Sequence, residues 1–221
     1  MILCHPQMES MIDFSSSEIP SLVIEEPNFF RALIQDFYDQ LEGKEGNFVL
    51  SENGKEYAIE NRVELIDNCL HFSLNTKTLL GKVSAALEKA AVNESNFLKT
   101  AAVLQQVEQY VDELAFEFDC DIVCKHCTVG GVLKAVGISL RDEYDDPLER
   151  LIDYMELIRE FDKDKVFVFV NLRSFFADEA VERFLKTIAE HSYCVLLLDS
   201  VCREKLSHEK RIIIDNDLCE F

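Results

Sequence analysis

The stretch Val195-Leu-Leu-Leu-Asp199 has the form of a buried strand that ends in an acid, the pattern that meets a magnesium ion in triphosphate-binding enzymes. Such a site also needs a loop of the form G-x-x-x-x-G-K-[ST], whose amides and lysine cradle the phosphates. The Gly-Lys pairs are Gly43-Lys44 and Gly81-Lys82. Around Gly81 the first glycine position holds Thr76 and the hydroxyl position Val83; around Gly43 they hold Tyr38 and Glu45. Both loops fail at both ends, so Asp199 reads as a strand-terminal acid and a working nucleotide site is not expected.

Cys120, Cys124, His126 and Cys127 put four zinc-competent side chains within a short segment. The three cysteines also stand at i, i+4 and i+7, which on a helix makes one face of small buried thiols, and no second Cys/His pair lies nearby to close a site. Both readings stay open. His5, His71, His126, His191 and His208 are scattered, and neither Gly-x-Ser-x-Gly nor His-Glu-x-x-His occurs, so no catalytic arrangement is expected.

Charge carries a clearer signal. Between Asn75 and Val107 lie Lys77, Lys82, Lys89 and Lys99 against Glu88 and Glu94. Lys82 and Lys89 share a helix face away from the apolar stripe, which is either a solvated flank or a basic face on an acidic molecule. From Glu108 to Asp121 every charged residue is acidic. Glu117, Asp119 and Asp121 alternate, so in non-helical backbone three carboxylates point to one side, and calcium would offset their repulsion.

The elements that must position these groups follow from periodicity. Pro27 and the spacing of Phe29, Phe30, Leu33, Ile34, Phe37 and Leu41 predict an amphipathic helix over 27–41. Asn53-Gly54 between apolar runs predicts a hairpin. Leu79 to Ala91 marks one helix. Phe97, Leu104, Val111 and Phe118, with Val107 and Leu114 between them, predict a long helix packed along another over a 3.5-residue period. Lys165–Val170, Cys194–Leu198 and Ile212–Ile214 are buried strands separated by helices, which predicts a parallel sheet covered on both faces. The fold class expected is α/β: one domain from residues 1–60 plus 145–221, with a helical insertion at 61–144.

Composition sets the outer bounds. The chain has 221 residues, 48% hydrophobic, with a formal net charge of −20. That charge repels phosphate and argues against a uniformly nucleic-acid-binding surface, though not against a local basic patch. Eight cysteines, no apolar run of membrane length and no visible export signal point to reduced thiols in a cytoplasm.

The order and spacing of several stretches resemble the small accessory protein of type II-A CRISPR systems that works in spacer acquisition (the Csn-two family). They are Leu22–Glu25 leading into the first helix, Asn75-Thr76 with the Leu79–Glu88 helix, Val132-Leu-Lys-Ala-Val-Gly-Ile138, Asp146-Pro-Leu-Glu-Arg, Lys165-Val-Phe-Val-Phe-Val-Asn171, Asp178-Glu-Ala-Val181 and Val195-Leu-Leu-Leu198. The resemblance implies a homotetrameric ring of non-enzymatic subunits. Each would have an α/β head related to P-loop ATPase cores but without nucleotide chemistry, and a helical leg. The ring would enclose double-stranded DNA, favour free ends, carry calcium near the head–leg junction and act beside the integrase proteins and the effector nuclease. The resemblance makes Lys134 the first DNA-binding candidate, with Lys82, Lys55 and Lys125 after it. It places calcium at Glu117, Asp119 and Asp121, with Asp142 and Glu143 as further ligands. A nucleotide-dependent enzyme on the same core and an acidic protein-binding scaffold are the alternative readings.

Overall fold

The apolar runs become strands and the 3.6-residue stripes become helices. In the computed structural model, which describes residues 1–120, 122–123 and 125–221, the chain forms two units, residues 1–72 with 144–221, and residues 73–143. The first unit begins with β1 (Ile2–Cys4), β2 (Ile12–Asp13), β3 (Ile19–Ile24), α1 (Pro27–Leu41), β4 (Val49–Glu52), β5 (Lys55–Tyr57), α2 (Ile59–Arg62) and β6 (Val63–Ile66). The helical unit supplies α3 (Lys77–Ala91), α4 (Phe97–Ala115) and α5 (Val129–Val136). The chain returns with α6 (Pro147–Phe161), β7 (Val166–Val170), α7 (Asp178–Glu190), β8 (Cys194–Asp199) and β9 (Glu209–Ile214).

The main sheet has the order β6-β7-β8-β3-β9 and is parallel throughout. Strands buried on both faces show no apolar–polar alternation, and β3 and β7 are buried at every residue. On one face Leu22, Ile24, Val166, Val168, Leu196 and Leu198 meet Leu33 and Phe37 of α1. On the other, Phe169 meets Phe184 of α7 edge-on, with ring centroids 5.5 Å apart, a geometry aromatic quadrupoles favour. The mixed α/β class with a parallel sheet is therefore as expected.

A second, antiparallel sheet of order β2-β1-β4-β5 shares the α1 side of the core through Leu3, Ile12 and Leu50. Its hairpin turn is Asn53-Gly54, both at positive φ (51° and 78°), which matches the twist of the flanking strands. Residues 61–72, assigned from sequence to the helical segment, lie with the first unit, where β6 forms one edge of the main sheet.

The helical unit departs most from expectation. Its ends are stapled by Asn75, whose side-chain amide donates to the Leu140 carbonyl (3.0 Å) and whose amide oxygen accepts from the Leu140 N–H (2.7 Å). Thr76 caps α3 through the Leu79 N–H. The long helix α4 forms with the predicted period but ends at Ala115, before Phe118, and none of its 19 residues is buried. The seam of Phe97, Val107, Val111 and Leu114 stays exposed, so the partner helix that the 3.5-residue period predicts does not cover it within one chain.

Candidate functional site

The carboxyl ends of the sheet strands are where an open α/β sheet receives its ligand. At the exit of β3 the chain passes through Glu25-Glu26 straight into α1. The Glu26 carboxylate accepts the Asn28 N–H (3.1 Å) and the Phe29 N–H (2.6 Å), and these backbone bonds hold its carboxyl below the usual range. Free N–H groups at a helix start are the groups a phosphate would use. Here a resident carboxylate fills that position, and Pro27 contributes no N–H. The exits of β7 and β8 are tied together by Asn171, whose Oδ1 accepts from the backbone N–H and the hydroxyl of Ser200 at 2.8 and 2.9 Å.

Asp199 ends β8, as its pattern predicts, and is buried. Burial pushes its carboxyl up to about 6, with Arg173 pulling the other way. Arg173 is itself buried and pairs with Asp178 at 2.9 Å and, more distantly, Glu209 at 3.9 Å. Burial also works against ionised Glu209, but its bonds from Arg211 and the Leu206 N–H outweigh that and keep its carboxyl low. This is a buried ionic cluster under the loop to β9, without a glycine-rich cradle beside it.

The lysines sort by unit. Lys82 and Lys89 of α3 and Lys134 of α5 belong to the helical unit and are exposed, as is Lys125 in the loop before α5. Two acids of the same unit anchor the start of α5. Glu108 of α4 accepts the Cys127 N–H at 2.7 Å. Glu88 of α3 reaches α5 at Gly130, where an added Cβ would lie 2.5 Å from its Oε1. Thr128 caps α5 through the Gly131 N–H, and Gly137, at φ 75°, ends the helix with its N–H on the Leu133 carbonyl, a left-handed stop. Carboxylates thus collect at the positive end of the α5 dipole, and Lys134 stands in its last turn, where a cation is favoured. Lys55 belongs to the other unit, beside the Asn53-Gly54 turn, with its ammonium 5.1 Å from the Tyr57 ring centroid.

The carboxylates expected to hold calcium do not converge in the described part of one chain. Glu117 and Asp119 are exposed in the turn after α4. Asp142 accepts from the Ser73 hydroxyl at 3.3 Å, and the Glu143 carbonyl accepts from Arg141. Asp121 lies outside the described residues. Among the described residues no three His, Cys, Asp or Glu side chains gather as a metal site.

The thiol expectation fails in part: none of the described residues between Ala115 and Thr128 is helical, Cys120 is exposed and Cys127 half-buried, so these two form no buried helical face. Cys124 lies outside the described residues, and His126 faces Glu108 at 3.4 Å.

The residues missed from sequence are Glu26, Glu88 and Glu108. Glu26 was readable in principle, as an acid directly before a helix-starting proline. The other two act across helices and leave no local signal.

No helix among the described residues is long and apolar enough to cross a membrane. Residues 40–218 match the family described as CRISPR-associated protein (Cas_Csn2). A match over that much of the chain, from the hairpin through the helical unit to the last strand, settles the family: the chain is a type II-A CRISPR-associated protein of the Cas_Csn2 family, an accessory protein with a role in CRISPR adaptation.

Proposed function

We propose that the chain is a non-enzymatic subunit of a homotetrameric ring that binds double-stranded DNA without sequence preference, favours free ends, and acts in the cytoplasm beside the integrase proteins and effector nuclease during spacer capture. One observation carries the reading. The helical unit of a chain with net charge −20 presents Lys82, Lys89 and Lys134 to solvent, while Glu88 and Glu108 are drawn to the start of α5. Exposed lysines supply phosphate contacts, which position a duplex without reading its bases. The uncovered seam of α4 supports assembly, because an exposed apolar heptad face is what a second subunit covers.

A relation to P-loop cores belongs to the same proposal. It rests on the parallel sheet with β3 flanked by β8 and β9 and running directly into α1. Nucleotide-dependent enzymology is disfavoured by Glu26, which occupies the amides a phosphate needs. Calcium enters as an expectation from the family resemblance, with Glu117, Asp119 and Asp121, together with Asp142 and Glu143, as the carboxylates that would hold it. No three of the described ones gather in a single chain, so a complete site requires Asp121 or ligands from a second subunit.

A mobility-shift titration of linear against covalently closed circular duplex, with calcium or chelator and across a salt series, tests the proposal. It expects a preference for linear DNA that weakens steeply with salt. Equal binding to both forms removes end-threading. No shift under any condition favours the acidic scaffold, and DNA-stimulated phosphate release from ATP favours the enzyme.

A further inference from the structure

The amino-terminal end of the main sheet, opposite the end stopped by Glu26, opens into a cavity of ≈ 530 Å³ within the first unit. That volume lies in the range of sites for organic groups, about 300–1,000 Å³. Its base is the start of β3 and β8, and Phe14 and Tyr193 supply aromatic surface. The serine run 15–17 and Ser192 supply hydroxyls, and Glu18 and Glu190 supply carboxylates. Among the described residues no lysine or arginine lines it.

Part of the wall is held in an uncommon shape. Ser192 and His208, both lining residues, adopt left-handed φ values of 53° and 66°. Non-glycine residues hold such angles only where their surroundings enforce them. The enforcement is visible at His208: its carbonyl accepts the Ile19 N–H at 2.6 Å, and the preceding Ser207 binds Glu182 through both its N–H and its hydroxyl at 3.1 and 2.9 Å. Shape is therefore built in before any ligand arrives.

The lining chemistry selects the occupant. An anion meets two carboxylates, with His208 the one lining side chain that can carry a positive charge. A purely apolar group leaves the hydroxyls without partners. A guanidinium matches acceptors to its planar fork and can lie flat on an aromatic wall. The Tyr193 ring is engaged by Arg159, 4.5 Å from its centroid, and by the stacked His191 ring at 5.9 Å, so Phe14 supplies the aromatic wall for an incoming guanidinium. Glu190 makes an exposed pair with Lys186 at 3.8 Å, a contact of little energy. The molecule's net charge of −20 steers basic protein surfaces towards it. We infer that this cavity docks an arginine side chain presented by a basic segment of a protein partner. The inference is independent of the DNA reading.

The probe is a blocked glycine–arginine–glycine peptide, titrated into isotope-labelled full-length chain and followed by amide chemical shifts. The expected result is saturable movement confined to residues 14–20, 189–195 and 208. The matching citrulline peptide, equal in shape but uncharged, binds at least tenfold more weakly, and a Glu18→Gln/Glu190→Gln double variant loses at least tenfold in affinity. Glu18→Gln alone, at an exposed position, provides the same comparison should the double variant fold poorly. The inference is overturned by equal response to both peptides, by shifts spread over the molecule, or by binding indifferent to the glutamine changes. Equal affinity for free argininamide overturns the assignment to a protein partner.

Discussion

Replacing Asp199 by Asn isolates the electrostatic strain at the end of β8. The residue is 5% exposed, and burial lifts its carboxyl from the ordinary aspartate value up to about 6, with Arg173 opposing. Between about pH 4 and pH 6 the folded chain therefore holds a proton that the unfolded chain has released. Stability rises with pH only where the unfolded state binds more protons, so here it falls as pH climbs through that window. A rise of about two pH units at about 1.4 kcal/mol per unit gives a cost of about 3 kcal/mol, complete above pH 6. Asparagine keeps the shape and removes the charge. The variant is thus expected to match the parent near pH 4 and to exceed it by up to about 3 kcal/mol at pH 7.5, the attraction to Arg173 being already contained in that rise. Urea unfolding at pH 4.5, 6.0 and 7.5 measures the difference. A variant less stable than the parent at pH 7.5, or one with an unchanged pH slope, refutes the reasoning.

Other substitutions probe the remaining parts. Lys134→Glu is expected to weaken linear-duplex binding severalfold and lower its salt slope by about one, with elution volume unchanged; normal affinity removes Lys134 from the interface. Glu117→Ala with Asp119→Ala is expected to reduce calcium uptake and shift the assembly towards smaller species by light scattering; identical calcium titrations refute that ligand assignment. Leu33→Ala, which empties a site 1% exposed beneath the sheet, is expected to cost about 3 kcal/mol in chemical unfolding. Gly54→Ala, where nothing lies within 4 Å of the added carbon but φ is +78°, is expected to cost about 1 kcal/mol through backbone strain alone.

Legibility in the sequence tracked how local each determinant is. Helix α1 runs over Pro27–Leu41 as its proline and apolar spacing predict, and the hairpin follows from Asn53-Gly54. Strands β7 and β8 are readable because burial on both faces leaves unbroken apolar runs. Strand β9 begins at Glu209, three residues before the apolar run that signals it, because the buried polar residue Glu209 is paired with Arg211 and breaks the hydrophobic pattern. Strands β1 and β2 have three and two residues, too few for a period to register. In α4 the period is correct but burial is not, since periodicity reports which residues share a face and not what covers it. The lysines are visible by type, whereas the roles of Glu88 and Glu108 depend on contacts made across 42 (Glu88 to Gly130) and 19 (Glu108 to Cys127) positions of chain.

The carboxylate at the head of α1 has a thermodynamic corollary. A free anion seeking those amides competes with a group tethered to the same backbone, whose effective concentration reaches about the millimolar range or above. Grafting a glycine-rich turn and a lysine onto this sheet would leave that incumbent in place. Affinity for phosphate at this position requires evicting Glu26 as well, so building a nucleotide site on this sheet needs several coordinated substitutions.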